Sequence, residues 1–174
     1  IAEAALAGDE AYLHAVALPN VSVWTGKRRL RAAKEAIALG AELLLLDDGM
    51  QHRALQRDVE IVVLDGKDDL FKQRLMPAGR LRDLPERLNA ADYLIVHHAP
   101  ENLEMLASQL AIYTAAPIIA TRMSPTQECK EKIHNRKIAY FCAIGRPERF
   151  CAMLQSLSSI IVHKFIKRDH ATFD

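Results

Sequence analysis

A doubly wound, mostly parallel α/β sheet is the fold this sequence predicts, and three observations predict it. Short apolar runs of strand length alternate with longer segments of helical period. The runs are apolar throughout, as strands covered by helices on both faces must be. Helix-stopping residues fall between the runs.

The runs are VSVW at 21–24, LLLL at 43–46, VEIVVLD at 59–65, YLIV at 93–96, APIIAT at 116–121 and KIAYFC at 137–142. Between the first two, Ala32, Ala33, Ala36, Ile37 and Leu39 make an apolar helix face that stops at Gly40, a natural C′ residue. Leu103, Leu106, Ala107 and Leu110 make a second such face between the fourth and fifth runs. The polar stretch SPTQECKEKIHNR at 124–136 interrupts the alternation and reads as a junction. It separates a partial core domain, 1–123, from the start of a smaller α/β domain, 137–174. In the latter, Pro147 opens a helix whose apolar positions are Phe150, Met153, Leu154 and Leu157.

Half of the 174 residues are hydrophobic, enough for one ordinary core and part of another. Lys and Arg total 23 against 22 Asp and Glu, so no excess charge points to nucleic acid. Three cysteines without a CxxC pair argue against a disulfide framework or a structural zinc site and fit a reducing, cytosolic compartment. No run approaches the roughly 20 apolar residues that span a bilayer, so these residues are expected to be soluble. The chain opens on Ile1 rather than Met and in mid-pattern, and both ends read as cut.

The most informative segment is LLLLDDGMQH at 43–52. A parallel strand ending in Asp47 and Asp48 delivers two carboxylates to the edge where α/β sheets place ligands. In phosphoryl transfer, carboxylates at this point hold Mg²⁺, which bridges the β- and γ-phosphates. Gly49 lets the chain turn away, and Gln51 and His52 come within reach of a metal-bound water or a phosphate. Asp-Asp-Gly is also ordinary turn chemistry. Adjacent like charges at the end of an apolar strand favour the cation.

DDGMQHRALQRDVEIVVLDG, followed by PAGRLRDLPERLNAADYLIV, resembles the signature stretch of the tetraacyldisaccharide 4'-kinase family. Gly8-Asp9-Glu10 is similar to that family's GDE block, and IGRPERF with Asp169-His170 to its second-domain block and DHH motif. The resemblance implies a partial P-loop NTPase-like core and a smaller C-terminal domain. It implies transfer of the ATP γ-phosphate, with Mg²⁺, to the 4'-hydroxyl of an acylated disaccharide 1-phosphate in lipid A biosynthesis. The setting it implies is the cytoplasmic face of a bacterial inner membrane, with peripheral association through an N-terminal segment absent from this sequence.

By the same resemblance, Asp9 and His170 form the catalytic dyad that takes the proton of the acceptor hydroxyl. Asp47 and Asp48 are the Walker B-like metal pair, and Arg82 and Asp83 lie beside the phosphates. Asp83 stands where the family usually has Glu, and Ala171 where it repeats His. A phosphate-binding GxxxxGK followed by Ser or Thr is missing, since Gly26-Lys27-Arg28 lacks both the leading glycine and the hydroxyl. These residues alone are therefore expected to be an incomplete, inactive fragment.

Two other readings stay open at this point. One is a metal-dependent phosphoesterase built on Asp9, Asp47, Asp48, His98, Asp169 and His170. The other is a catalytically dead remnant or binding module. GKRRLR at 26–31 reads as a solvated helix start, with Arg28 or Arg29 in reach of a substrate phosphate. His97-His98 reads as a strand-end loop, Arg146, Arg149 and Phe150 as the opening of a helix, and Cys142 as a buried strand residue.

Overall fold

The computed structural model describes residues 7–169 and residue 171. It divides into two compact units, Ile1–Thr121 and Arg122–Asp174. His170 lies outside the described residues.

The first unit begins with α1 (Asp9–Ala17), entered from Gly8 at φ 87°, and α2 (Arg29–Ala38). As the sequence predicts, Gly40 ends α2, in the left-handed region at φ 96°. Its N–H donates to the Ile37 carbonyl at 2.9 Å and the Ala41 N–H to the Ala36 carbonyl at 3.0 Å. Those two bonds are the Schellman pattern, which satisfies carbonyls the helix end leaves open.

Three parallel strands follow: β1 (Ile61–Asp65), β2 (Tyr93–His97) and β3 (Ile118–Thr121), in the order β1-β2-β3. A 3₁₀ helix at Pro85–Ala90 precedes β2, and α3 (Leu103–Leu110) connects β2 to β3. The Asn102 side chain caps α3 by accepting from the Met105 N–H at 3.2 Å. Register pairs Val62 with Leu94 and Leu64 with Val96, so these side chains share a face. Leu88 and Leu110 pack on that face, and Leu94 and Val96 are wholly enclosed. The central strand is therefore the one that carries the core.

Two expected strands differ. Residues 21–24 and 43–46 form no strand and lie outside the paired sheet, and Leu43 and Leu45 are 76% and 86% exposed. A strand exists by pairing its N–H and C=O groups with a neighbour, and these two runs have none among the described residues. Ile61 and Val63, on the other face of β1, are exposed for a related reason: no described helix covers them.

In the second unit, α4 (Gln127–Ile133) occupies part of the polar stretch, capped by the Thr126 hydroxyl, which accepts from the Cys129 N–H at 3.2 Å. Two parallel strands, β4 (Lys137–Cys142) and β5 (Ile160–Ile166), are joined by α5 (Pro147–Ser156), with Pro147 in its first turn. Tyr140, Cys142 and Leu154 form its core, with Phe150, Cys151, Ile138 and Ile161 packed around them. No described helix is long and apolar enough to cross a membrane.

Candidate functional site

The turn after Leu46 is built by a steric constraint and a clamp. Gly49 is buried, and a Cβ there would lie 2.8 Å from Leu46 Cδ2 and 2.9 Å from its Cγ. Space, rather than a positive φ, is what requires glycine. The left-handed residue of this turn is Asp48, at φ 51°, a conformation that Asp adopts more readily than most residues. Gly49→Ala is expected to destabilise the first unit by about 1–3 kcal/mol through overpacking against Leu46. Urea denaturation checks it, and an unchanged midpoint would show that Leu46 gives way freely.

Arg29, at the first position of α2, holds the same turn from the other side. Its Nη1 donates to the Asp47 carbonyl at 3.0 Å and to the Asp48 carbonyl at 2.9 Å. The basic run that reads as a solvated helix start thus contains a residue that fixes the backbone between the two carboxylates. Sequence spacing carries no sign of it, because the bond reaches 18 residues along the chain to a carbonyl that every residue type possesses.

Arg82 completes the cluster. Its Nη1 and Nη2 donate to Asp48 Oδ1 and Oδ2 at 2.5 and 2.9 Å, a two-pronged guanidinium–carboxylate pair between residues 34 apart in sequence. The hydrogen bonds from Arg82 hold the Asp48 carboxyl below its ordinary pKa, and the nearby Arg29 charge acts the same way. Reciprocally, the Asp48 carboxylate raises the Arg82 pKa. Both side chains are about half exposed, at 52% and 53%, so the pair sets geometry more than stability.

Asp47 is exposed, and among the described residues its carboxylate has no hydrogen-bond or ion-pair partner. Two adjacent carboxylates thus stand in different states: one with both oxygens engaged by Arg82, the other open to a ligand. A hard cation such as Mg²⁺ takes oxygen donors and is commonly held by one or two carboxylates together with substrate phosphates, so Asp47 fits it directly. Asp48 reaches such an ion only by sharing its oxygens with Arg82. Among the described residues no three His, Cys, Asp or Glu side chains converge as a metal cage. The two-ion hydrolase reading therefore draws no support from the geometry.

The remaining residues that the sequence points to are placed as follows. His52 lies in the turn: its N–H donates to the Gly49 carbonyl at 2.9 Å, and its carbonyl accepts from Arg57 Nη1 at 3.1 Å. Gln51 is exposed beside it. Asp83 turns back on its own chain, accepting from the Leu84 N–H at 3.0 Å and standing 3.7 Å from Arg87 Nε. Asp9 opens α1, where Oδ1 accepts from the Glu10 N–H at 3.1 Å. His98 does not belong to this cluster's hydrogen bonds: held at φ 54°, it sets Nδ1 3.3 Å from Asp65 Oδ1 at the end of the neighbouring strand.

The family model "Tetraacyldisaccharide-1-P 4'-kinase" matches residues 2–174. The tetraacyldisaccharide 4'-kinase of Chlamydia pneumoniae is 37% identical over 175 residues, covering 97% of this chain and 47% of the relative. That of Anaeromyxobacter dehalogenans (strain 2CP-C) is 35% identical over 184 residues, covering 98% of this chain and 49% of the relative. The chain thus spans about half the length of the curated relatives it matches. A crystal structure of LpxK from Aquifex aeolicus in complex with ATP superposes with a TM-score of 0.69 at 28% identity, over 94% of this chain and 52% of that one. The partial parallel sheet described above is accordingly part of a P-loop kinase fold. With nearly its whole length matched, this chain belongs to the tetraacyldisaccharide-1-P 4'-kinase family.

Proposed function

We propose that the full-length protein containing this chain transfers the γ-phosphate of ATP to the 4'-hydroxyl of a tetraacyldisaccharide 1-phosphate, a step of lipid A biosynthesis. The observation that carries the reading is the open Asp47 carboxylate beside the Asp48–Arg82 pair, on a turn clamped by Arg29. It sits within a chain matched almost end to end by the kinase family. When bound, Mg²⁺ supplies charge neutralisation at the phosphates undergoing transfer.

The roles follow from the two carboxylate states. Asp47 holds the cation, while Asp48 keeps the guanidinium of Arg82 at a fixed place and angle. Arg82 retains N–H donors beyond the two used on Asp48 and turns them to phosphate oxygens. Gln51 and His52, on the same turn, orient the cation's water or a phosphate, and Asp83 tunes this edge through Arg87. Asp9 with His170 takes the proton of the sugar hydroxyl, a weak nucleophile that needs a positioned base. Residues 1–123 act as the partial nucleotide-side core and residues 137–174 as part of the smaller domain, joined by 124–136. The lipid substrate places the whole protein at the cytoplasmic face of the inner membrane, as a peripheral protein that docks through sequence outside these residues.

The test is transfer of labelled phosphate from ATP to the disaccharide by the full-length protein, with Mg²⁺ present and then chelated. Labelled lipid that disappears with the cation is the expected result, and ATP hydrolysis without lipid labelling would overturn the proposal. The 174 residues assayed alone are expected to bind ATP weakly, because backbone amides of a phosphate-binding loop normally supply much of the grip.

A further inference from the structure

A third guanidinium holds the turn that carries the carboxylates, and the kinase reading gives it no part. Arg57 lies past the far end of that turn, between His52 and the start of β1. Its Nη1 donates to the His52 carbonyl and to the Leu55 carbonyl, each at 3.1 Å. Its Nε donates to Glu60 Oε2. The Arg57 and Glu60 side chains are 21% and 13% exposed, so solvent reaches this pair far less than it reaches Asp48 and Arg82.

Both ends of this brace are anchored. Glu60, the residue before β1, donates its N–H to Asp92 Oδ2 at 2.7 Å, and its carbonyl accepts from the Asp92 N–H at 2.8 Å. Asp92 is the residue before β2, the central strand whose Leu94 and Val96 are wholly enclosed. Glu60 is thus tied to the best-packed element of the unit. At the other end, the bond from the His52 N–H to the Gly49 carbonyl joins His52 to the carboxylate turn. The chain from His52 to Glu60 forms neither helix nor strand, so no ladder serves its carbonyls and a side-chain donor takes that part. Arg29 does the same for the carbonyls of Asp47 and Asp48. The segment is pinned twice, by Arg29 beside the carboxylates and by Arg57 behind His52.

We propose that Arg57 is a positioning residue for phosphate transfer: by tying the His52 carbonyl, through Glu60, to the entry of the sheet, it fixes where His52 stands relative to Asp47. The proposal rests on the kinase reading of the same turn. In this role Arg57 touches no reacting atom and acts through His52. A group displaced by about 1 Å can cost on the order of 10²-fold in rate, so a brace remote from the chemistry still matters. The guanidinium suits the task because its fixed fork of N–H donors serves a carboxylate and two carbonyls at once, which the single nitrogen of lysine does not.

The test is a double-mutant cycle in the full-length protein, read as kcat and KM for ATP and for the disaccharide, with urea denaturation of each variant alongside. Arg57→Ala is expected to lower kcat by on the order of tenfold or more. The KM for the disaccharide should change by less than about threefold, since Arg57 makes no contact that binds it. In a His52→Ala background the same substitution is expected to cost less than about threefold in kcat, because the side chain it positions is gone. A brace that only stabilised the fold would cost the same factor in both backgrounds. Equal losses in the two backgrounds, or a folded Arg57→Ala with unchanged kcat, would overturn the proposal. Arg57→Ala leaves Glu60 without its cation, so Arg57→Lys, which keeps the charge, carries the same comparison should the alanine variant not fold. A wild-type protein that labels no lipid would instead refute the kinase reading, and this role with it.

Discussion

Asp47→Asn in the full-length protein is expected to lower kcat/KM for phosphate transfer by on the order of 10²- to 10³-fold, with a rise in the Mg²⁺ concentration needed for half-maximal rate. The substitution preserves shape and removes one negative charge from an exposed side chain that has no partner among the described residues. Folding stability should therefore change by less than about 0.5 kcal/mol, the usual range for such a surface site. The companion variant Asp48→Asn separates the two roles. It breaks the two-pronged pair with Arg82 but leaves Asp47 in place, so its defect should lie chiefly in substrate or nucleotide KM. Steady-state kinetics across a Mg²⁺ series reads both. Were Asp48→Asn the variant that shifts the Mg²⁺ requirement, and Asp47→Asn the one that spares it, the assignment would be reversed.

On the proposed dyad, Asp9→Ala and His170→Ala in the full-length protein are each expected to lower turnover by on the order of 10²-fold or more, because each would remove part of the group proposed to take up the acceptor proton. An imidazole without its carboxylate loses orientation and charge stabilisation, and a carboxylate without its imidazole loses the proton acceptor itself. If the two act as a unit, the double variant should be little worse than the worse single one. Multiplicative losses would instead mean two independent contributions. Asp9 is well placed for a carboxylate, since it occupies the first turn of α1, where the helix dipole favours negative charge. Single-turnover measurements keep the chemical step apart from product release, and retained turnover in both single variants would remove the dyad from the mechanism.

Much of the fold could be read without coordinates. The runs at 59–65, 93–96, 116–121 and 137–142 became β1 to β4, Gly40 ended a helix, and Pro147 opened one. Such features rest on local physics: a β-rich apolar run, an amide a proline lacks, a backbone region only glycine enters easily. The run at 43–46 was as apolar as any of these and still stayed outside the paired sheet, because pairing depends on a neighbour that no local pattern specifies.

The candidate site divides along the same line. Residue types and their order along the chain by themselves determined the family and singled out Asp47, Asp48 and Arg82 as candidates. Only the tertiary structure decided that Arg82 takes both oxygens of Asp48, that Arg29 holds the carbonyls between the carboxylates, and that Asp83 turns away toward Arg87. The physical reason is that a guanidinium can pair with any carboxylate or carbonyl within reach. Which one it meets, here 34 residues away for Arg82 and 18 for Arg29, is set by how the chain packs.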